Sequence, residues 1–599
     1  MMIPALLLAA CVKSSTPVAV DGAQVDASPG PSAELAAFFG EVHAEELAAN
    51  PIRAAYLGLP HDDTVWTPIT HEHAQERYAA AQGHLATLRA RFDPGVLSAE
   101  DQLSYVLFEQ RQEENLAEHL WWWHGYRVNQ MWGTHTFVPS FLMTVHRIDS
   151  EATARSWVAR VRGVPAMFDD LVAILAEQES RGILPPAFVY PHVQGAIDKL
   201  LTGAPFTGGE PSPLLAHFER EVAGLGLEEA TEQALVADAT AALHDELGPA
   251  YRALQAALAA QEPTEEAGVW KLPDGADYYA LRLRHTTTTD LTAEEIHALG
   301  LSEVARIHGE MRALMPALGV EGDLPELFAH LRGDPSYTLP NTDEGREQYL
   351  ELARGYVAGM EARLPEVFDL LPQKSLEVRR VEPFREGSAG KAFYQRASTD
   401  GVRPGIFYAN LRDMANMPTY QLEALVYHEG IPGHHMQNAV SMELSELPPF
   451  RRFGGYTAYG EGWGLYSEFL PKELGFYEDP ASDVGRLAME LWRAARLVVD
   501  TGIHDKRWTR QEAIDYLQDN TPNPVGDCVH AIERYIVAPG QATAYKVGML
   551  EILRLREKAR AELGEAFTLT AFHRAILGAG PLPLDLLEAR VEAWIAQAG

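Results

Sequence analysis

Residues 428–435 read His-Glu-Gly-Ile-Pro-Gly-His-His and are the most informative stretch of this chain. Three imidazoles and one carboxylate fall within it. Imidazole nitrogens are common zinc ligands, and a glutamate that directly follows a ligand is suited to act as a general base. The stretch therefore predicts one bound Zn²⁺ per chain and a hydrolase that uses metal-activated water.

The spacing of these histidines predicts a break in the helix that carries them. In the common H-E-x-x-H zinc helix the ligands lie at i and i+4, but the fourth residue after His428 is Pro432. In an unbroken helix His435 would share the face of His428, yet it would lie about 10.5 Å along the axis, too far for one ion. Because Pro and Gly permit distortion, we expect the segment 430–433 to fold His434 or His435 back towards His428.

A second acidic cluster, residues 461–468, is expected to complete the metal site. It reads Glu-Gly-Trp-Gly-Leu-Tyr-Ser-Glu. The surrounding glycines allow close backbone approach, so Glu461 is the predicted third ligand, with Glu468 and Glu423 as alternatives. Glu468 lies one heptad later and is the candidate carboxylate that orients a ligand histidine. Glu429 is the predicted general base.

Polar residues nearer the C-terminus are candidates for catalysis and for support of the ligands. Amide hydrolysis needs a donor for the developing oxyanion, and Tyr535 and Tyr545, which flank a Pro-Gly-Gln turn, are the candidates. Arg496, Asp500 and His504 recur at i, i+4 and i+8 and form one stripe of a predicted buried helix. We interpret this stripe either as support for the ligands, with His504 as a proton-transfer or oxyanion residue, or as an internal ion-pair network.

Elsewhere the chain has mostly helical periodicity. Ala, Leu, Glu and Arg recur at three- and four-residue spacing in several segments, namely 34–49, 71–92, 98–118, 151–181 and 213–261. Capping boxes precede two further helices, at Thr292–Glu295 and Thr509–Glu512, and 541–563 is typical of one long buried helix. Strand signals are found at 376–381, 392–394 and 405–410. The predicted fold class is mainly α with a small β-sheet beside the metal helix.

The beginning of the chain predicts export. A short apolar run ends in Leu8-Ala9-Ala10-Cys11, the pattern of a bacterial lipoprotein cleavage site. We therefore expect an exported cell-envelope lipoprotein, on the periplasmic face or the cell surface, that meets the membrane only through its lipid anchor. The predicted organisation is a signal with lipidated Cys11 (1–11), a flexible tether (12–32), a helical N-terminal lobe (33–265) and a catalytic metallohydrolase lobe (266–599).

Composition argues against several partners. The 599 residues include 49 basic and 84 acidic side chains, a net charge of −35, which disfavours nucleic acid. Glycine pairs lack a phosphate-loop pattern, so no nucleotide is expected. If Cys11 is lipidated, Cys528 is the only other cysteine, so we expect no disulfide in the mature chain. Cys528 is interpreted as a buried apolar thiol.

Several of these stretches resemble the signature blocks of the bacterial domain-of-unknown-function 885 family. They are YHEGIPGHHMQ (427–437), EGWGLYSE (461–468), RLVVDTGIH (496–504) and RYIVAPGQATAYKVG (534–548), together with NPIRAAYLG (50–58) and RPGIFYANL (403–411). The resemblance spans about residues 34 to 599. It implies a zincin-like, mostly helical catalytic lobe, a lipoprotein signal and a metallopeptidase-like hydrolase without a defined substrate.

The resemblance also bears on individual residues. In the more distant thimet-type oligopeptidases and dipeptidyl peptidase III the zinc motif ends in Gly-His, and matching that pair selects His434 over His435. Zincins run an edge strand along the metal helix, and substrate backbone pairs with it. Residues 405–410 are similar in placement, which implies that Tyr408 and Asn410 line the cleft.

The resulting hypothesis is a zinc-dependent metallopeptidase for short peptides, since large helical lobes in such enzymes restrict access. One alternative is a catalytically inactive lipoprotein with a zincin-like fold that binds peptides or a partner; the intact Glu429 argues against it. A second is a carboxylate-bridged di-iron oxidoreductase. That site needs paired Glu-x-x-His motifs on facing helices, and Glu294-x-x-His297 lacks a matching pair.

Overall fold

The structure is a computed structural model that describes residues 31–383, 386, 389–399 and 403–598. The predicted signal with Cys11 and residues 12–30 of the predicted tether lie outside these ranges. The last two residues of that tether, Pro31 and Ser32, belong to the first helix.

Helices make up most of the described chain, as its periodicity predicts. In chain order they are α1 Pro31–Ala48, α2 Pro51–Leu57, α3 His71–Arg91, α4 Ala99–His119, α5 Thr134–Thr144, α6 Glu151–Ser180, α7 Val189–Leu200, α8 Pro213–Ala223, α9 Glu229–Ala242, α10 Gly248–Ala259, α11 Gly275–Thr287, α12 Ala293–Leu314, α13 Leu324–Gly333, α14 Asp343–Glu361, α15 Leu422–Glu429, α16 His434–Glu443, α17 Pro449–Arg452, α18 Thr457–Glu473, α19 Pro480–His504, α20 Arg510–Asn520, α21 Val525–Val537, α22 Ala544–Leu563, α23 Leu569–Leu577 and α24 Leu584–Ala598.

Both predicted capping boxes are present. The hydroxyl of Thr292 accepts from the amide of Glu295, whose carboxylate accepts from the amide of Thr292, and Thr509 and Glu512 repeat this exchange. The predicted 213–261 helix is interrupted between α8 and α9 and by a π-helical turn before α10. The predicted 541–563 helix begins as a 3-10 turn and continues as α22.

The three predicted strands are also present and form a small sheet in the described chain. They are β1 Leu376–Arg380, β2 Ala392–Gln395 and β3 Gly405–Ala409. The fully buried β3 lies in the centre, parallel to β1 and antiparallel to β2. The sheet packs beside α14, α15 and α16, so it lies next to the helix that carries the first histidine.

α19 is the central helix of the C-terminal half and is buried along nearly all of its length. It packs against α12, where a Cβ on Gly300 would lie 2.7 Å from Cβ of Leu497. α18 crosses α22 even more closely, because a Cβ on Gly548 would lie 1.9 Å from the carbonyl oxygen of Ala458. These glycines let helix backbones approach where any side chain would separate them. Buried apolar side chains form one continuous cluster from Leu35 to Ile595, and the boundary at residue 265 stays a prediction.

Cys528 is fully buried, and burial raises the pKa of its thiol to about 12. This fits the interpretation of an unreactive apolar thiol. No helix in the described ranges combines the length and apolar character needed to cross a bilayer.

Candidate metal centre

The predicted helix break separates α15 from α16. α15 ends at Glu429, the chain turns through Gly430 to Gly433, and α16 begins at His434. A Cβ on Gly433 would lie 2.0 Å from the carbonyl oxygen of His428. Only glycine permits this return of the chain over the end of α15.

The break brings two imidazole rings together. The ring centroids of His428 and His434 are 4.7 Å apart, with the ring planes at 82°. Oε2 of Glu461, on α18, lies 3.6 Å from Nε2 of His428 and 3.3 Å from Nε2 of His434. One ligand atom from each of the three residues lies within 4.8 Å of the other two. The structure thus gathers the three side chains that the sequence predicts as ligands.

This donor set fits a zinc ion. Oε2 of Glu461 is buried and accepts no hydrogen bond from any described residue, although two imidazole nitrogens face it. That pattern is expected where lone pairs converge on a cation. Two histidine nitrogens and one glutamate oxygen are a ligand set of catalytic zinc sites, which keep one coordination position free. The side chains of His434 and Glu461 are 16% and 22% exposed, so part of each of these two side chains borders solvent.

His435, the alternative ligand, turns towards the sheet instead. Its Nε2–H donates to the carbonyl oxygen of Lys374 (2.9 Å), and its Nδ1 accepts from the hydroxyl of Tyr394 (3.2 Å). Burial lowers the pKa of His435 to about 4, which keeps the ring neutral. Because both ring nitrogens have protein partners, the geometry favours His434 over His435 as a ligand.

Glu468 takes the supporting position that its heptad spacing predicts. Its Oε1 lies 2.8 Å from Nδ1 of His428, and Nη2 of Arg493 lies 3.3 Å from the same oxygen. The hydroxyl of Tyr477 donates to the backbone carbonyl of Glu468 (2.8 Å). A carboxylate at Nδ1 favours the tautomer that leaves Nε2 as a lone-pair donor, so Glu468 orients the ring of His428.

Electrostatics at the centre follow from these contacts. Burial lowers the pKa of His428, but Glu461 and Glu468 outweigh it and raise that pKa to about 10. Burial raises the pKa of Glu461, but His428 and His434 outweigh it and hold it well below its usual value. Without a metal the centre is therefore an ion pair, and a metal ion must displace a proton to bind there.

The glycines of α18 make room for this arrangement. A Cβ on Gly464 would lie 2.7 Å from Cε1 of His428, so the imidazole packs directly on the backbone of α18. Gly462 instead faces α22, where its Cβ would lie 2.5 Å from Cα of Gly548. The indole of Trp463 donates to the carbonyl oxygen of Pro432 (2.8 Å), which fixes the returning turn against the same helix.

Glu429 is buried as the last residue of α15 and directly follows the first ligand. Its charge helps to raise the pKa of His428, so its carboxylate lies within electrostatic range of the centre. This is the position expected for the predicted base.

Both candidate tyrosines lie near the centre. The ring of Tyr545 lies nearly parallel to that of His428, with centroids 6.4 Å apart. The guanidinium of Arg496 lies 4.5 Å from the centroid of Tyr545, and its Nε donates to the hydroxyl of Tyr535 (2.8 Å). Tyr535 is only 1% exposed, whereas Tyr545 is 9% exposed. Tyr545 is therefore the better placed to meet a substrate.

The rest of the predicted stripe on α19 is structural. Nδ1 of His504 accepts from the amide of Val269 (3.2 Å), and its Nε2–H donates to the carbonyl oxygen of Tyr535 (3.0 Å). With both nitrogens bound to backbone, His504 does not fit the role of a proton-transfer or oxyanion residue. These two hydrogen bonds join the segment around Val269 and the helix α21 to α19.

Asp500 likewise supports the fold around Tyr545. Its Oδ1 accepts from the hydroxyl of Tyr279 (2.6 Å) and from the amide of Gly540 (3.0 Å). Gly540 has φ +79° and starts the turn that leads into α22. Burial raises the pKa of Asp500 to about 7, so this carboxyl holds the turn and forms no ion pair with Arg496.

The predicted edge strand needs correction. β3 is the central strand, paired on both sides, so a substrate cannot pair with it; the edge strand that contacts α15 is β2. The hydroxyl of Tyr408 donates to Glu382 (3.2 Å), and the amide of Asn410 donates to the carbonyl oxygen of Ala389 (3.1 Å). These contacts are with the segment between β1 and β2, so neither side chain fits the predicted cleft-lining role.

Arg534 is a site residue that the sequence reasoning missed. Its Nη2 donates to the hydroxyl of Tyr545 (3.4 Å) and to the amide oxygen of Gln541. Burial lowers the pKa of Arg534, but Tyr545, Tyr535 and, to a smaller extent, Glu461 outweigh it and raise that pKa. The arginine opens the block 534–548, so its place beside the candidate tyrosines was a usable signal.

Comparison with known proteins agrees with the block resemblance. The profile of the family described as "Bacterial protein of unknown function (DUF885)" matches residues 51–591. No curated protein matches the chain.

Two solved structures share the fold. One is "the putative lipoprotein from Colwellia psychrerythraea", with 30% identity, a TM-score of 0.89, and coverage of 95% of this chain and 99% of that one. The other is "a putative lipoprotein of unknown function from Shewanella oneidensis", with 18% identity, a TM-score of 0.70, and coverage of 93% and 99%. The fold of this chain is therefore found over nearly the full length of both.

Proposed function

We propose that this chain, which belongs to the DUF885 family of bacterial proteins, is a zinc-dependent hydrolase with a zincin-like catalytic centre that cleaves short peptides. The observation that carries the proposal is the convergence of two imidazole nitrogens on a buried carboxylate oxygen that has no hydrogen-bond donor among the described residues. When bound, zinc supplies Lewis acidity and lowers the pKa of water to about 7.

The side chains of the protein bind the ion, orient a ligand and transfer the proton. His428, His434 and Glu461 hold the ion, and Glu468 keeps the proton of His428 on Nδ1. Glu429 accepts a proton from the attacking water and returns it to the leaving amine, a contribution of about 10²- to 10⁴-fold. The reaction adds one water across the C–N bond and releases a carboxylate and an amine.

Tyr545 supplies the donor for the developing oxyanion. Its hydroxyl accepts a hydrogen bond from Arg534, so its own O–H is free to donate to a substrate oxygen. Tyr535 is too buried to do so, and its hydroxyl instead accepts a hydrogen bond from Nε of Arg496. Loss of one such donor typically costs about 10²- to 10³-fold in turnover.

The N-terminal sequence and the descriptions of the relatives support a location in the cell envelope. Residues 8–11 carry the lipoprotein cleavage pattern, and both solved relatives are described as putative lipoproteins. We place the protein in the cell envelope, anchored through a lipid on Cys11.

The first test is metal content in two adjacent variants. His434→Gln removes a ligand, whereas His435→Gln removes a neighbouring imidazole bound to the sheet. Elemental analysis should find one zinc per chain in the wild type and in His435→Gln, and less than a tenth of that in His434→Gln. Equal zinc in the two variants would refute the ligand assignment.

The second test separates catalysis from binding. Glu429→Gln should retain zinc and lose at least about 10²-fold of kcat/KM on a mixed peptide substrate. A wild type that holds zinc yet hydrolyses no member of a peptide library would instead support the inactive peptide- or partner-binding alternative.

A further inference from the structure

Arg496 is a buried cation without a carboxylate partner. Its side chain is about 7% exposed, its Nε donates to Tyr535, and its Nη1 has no hydrogen-bond partner in the described part of the chain. No described carboxylate lies within 4 Å of it. A buried charge normally requires a counter-charge, so the surroundings of Arg496 lack an anion.

Arg534 contacts the same two tyrosines and is partly exposed. Its guanidinium reaches the hydroxyl of Tyr545 and the amide of Gln541, both uncharged. No described carboxylate lies within 4 Å of this arginine either. Since Arg534 is the more accessible of the two cations, it is the one that a substrate can contact.

Three acidic groups lie nearby, and none lies within 4 Å of Arg496 or Arg534. Arg493 shares Glu468 with His428, and Oδ1 of Asp500 accepts from Tyr279 and from a backbone amide. Burial raises the pKa of Asp500 to about 7, so this carboxyl is only partly ionised near neutral pH, although its Oδ2 has no hydrogen-bond partner in the described chain. Glu461 faces the two histidines and, with a divalent cation in place, is neutralised by it. The wall formed by Tyr535 and Tyr545 therefore carries an excess of positive charge.

We propose that Arg534, with Arg496 behind it, binds the free C-terminal carboxylate of the peptide substrate and makes this hydrolase a carboxypeptidase. The assignment rests on the proposed function. A guanidinium presents two parallel N–H donors that match a carboxylate, and Arg534 still has donors to spare after its two neutral contacts.

The distance suits removal of residues from the C-terminus. Tyr545 links the two sites, with its ring 6.4 Å from that of His428 and its hydroxyl 3.4 Å from Arg534. An extended chain spans about 3.3–3.6 Å per residue, so a carboxylate at Arg534 lies within roughly four residues of the bond at the metal centre. Recognition of the chain end there selects short C-terminal fragments as products.

The test uses three N-terminally labelled tetrapeptide probes. They are tetra-alanine as the free acid, the same peptide as the C-terminal amide, and an amide that ends in Glu. The wild type should cleave the free acid with a kcat/KM about 10- to 100-fold above that of the plain amide. Arg534→Gln should abolish this preference: because Arg534 also contacts Tyr545, both rates fall, but the rate on the free acid falls by the larger factor until acid and amide are cleaved alike. Arg534→Lys should keep part of the preference.

Arg111→Gln is the matched control. Arg111 is also partly buried, and it pairs with Glu46 among the N-terminal helices, so its loss removes the same charge away from the centre. This variant should keep the full preference for the free acid.

A binding measurement makes the outcome independent of turnover. Zinc-loaded Glu429→Gln should bind the free acid about 10- to 100-fold more tightly than the plain amide, and the double variant with Arg534→Gln should not. Equal binding of acid and amide overturns the assignment, and so does a preference that survives Arg534→Gln. Binding of the Glu amide as tightly as the free acid also overturns it, because the carboxylate would then come from a side chain. A binding preference without turnover would defeat the hydrolase proposal alone.

Discussion

Two buried polar clusters share α19 and α22, and they differ in how charge is balanced. In the first, which we call the lysine cluster, Nζ of the fully buried Lys546 lies 2.6 Å from Glu490 and 2.9 Å from Glu303. Arg306 pairs with both carboxylates, and Arg486 lies 3.7 Å from Glu490. Each charged group in the lysine cluster has a partner of opposite sign.

Tyr545, the preceding residue of α22, lies at the metal centre, where opposite charges also meet but several buried polar atoms lack a hydrogen-bond partner in the described chain. Oε2 of Glu461 has no hydrogen-bond donor and Nη1 of Arg496 has no acceptor in the described chain. Arg534 has only neutral partners. Groups of this kind are costly to bury.

Unsatisfied polar atoms distinguish a functional polar cluster from a structural one on the same helices. A structural cluster neutralises itself, whereas a functional site keeps lone pairs and donors for a ligand from outside. Substitutions in the lysine cluster should therefore change stability, whereas substitutions at the metal centre should change zinc binding.

Lys546→Met should have the largest effect on stability. It leaves the carboxylates of Glu490 and Glu303 buried with less compensation, which typically costs about 3–5 kcal/mol. Urea unfolding measures the loss, and zinc content per folded chain should stay unchanged. Lys558→Met is the control on the same helix, because Lys558 pairs with Glu592 at the surface, and it should leave the free energy of unfolding nearly unchanged. Equal losses would mean that the lysine cluster adds nothing beyond a surface pair.

The lysine cluster should also lose stability in acid. Burial raises the pKa of Glu490, but Lys546 and Arg306 outweigh it and lower that pKa to about 2. Because the folded pKa is depressed, this stabilisation is complete above the ordinary value of 4.5 and is lost as pH falls towards 2. The shift corresponds to about 3 kcal/mol. The gap in unfolding free energy between wild type and Lys546→Met should narrow from pH 6 to pH 3, and a constant gap would contradict the charge balance.

Most of the fold follows from local sequence signals. Most helices are predicted by helical periodicity and by two capping boxes. All three strands are predicted by the strand signals at 376–381, 392–394 and 405–410. The break before α10 and the central position of β3 could not be predicted, because both depend on partners distant in sequence. Strand order in particular requires knowing that β1 and β2 pair with β3 from opposite sides.

The candidate site was partly predictable for a similar reason. Pro432 and Gly433 predict a break in the helix. Two histidines and a glutamate close to that break indicate a metal site. The contacts that turn His435 to the sheet, and those that bind both nitrogens of His504, come from elements far away in the chain. The position of Arg534 next to Tyr535 was a signal, but its contact with Tyr545 depends on how the turn between α21 and α22 folds.

Glu468→Gln should weaken zinc binding by about 10- to 100-fold, which is roughly 1.4–2.7 kcal/mol. The amide keeps the size of the side chain but removes the charge that favours the Nδ1 proton of His428. A competitive chelator titration measures the zinc affinity. Glu423→Gln is the control, because Glu423 is buried on α15 and contacts Tyr427 and Tyr477 instead. A loss of zinc in Glu423→Gln would restore Glu423 as a ligand and move the centre.

The smallest effects should come from two glycines one turn apart on α18. A Cβ on Gly464 would lie 2.7 Å from the His428 ring, whereas a Cβ on Gly460 would meet nothing closer than Gln437 at 3.8 Å. Gly464→Ala should therefore displace the ring and weaken zinc binding roughly tenfold, about 1.4 kcal/mol. Gly460→Ala should leave zinc binding unchanged and stabilise the helix by about 0.5–1 kcal/mol. If both variants bind zinc like the wild type, contact between α18 and the imidazole does not position the metal ligand, and precise packing no longer distinguishes the metal centre from the lysine cluster.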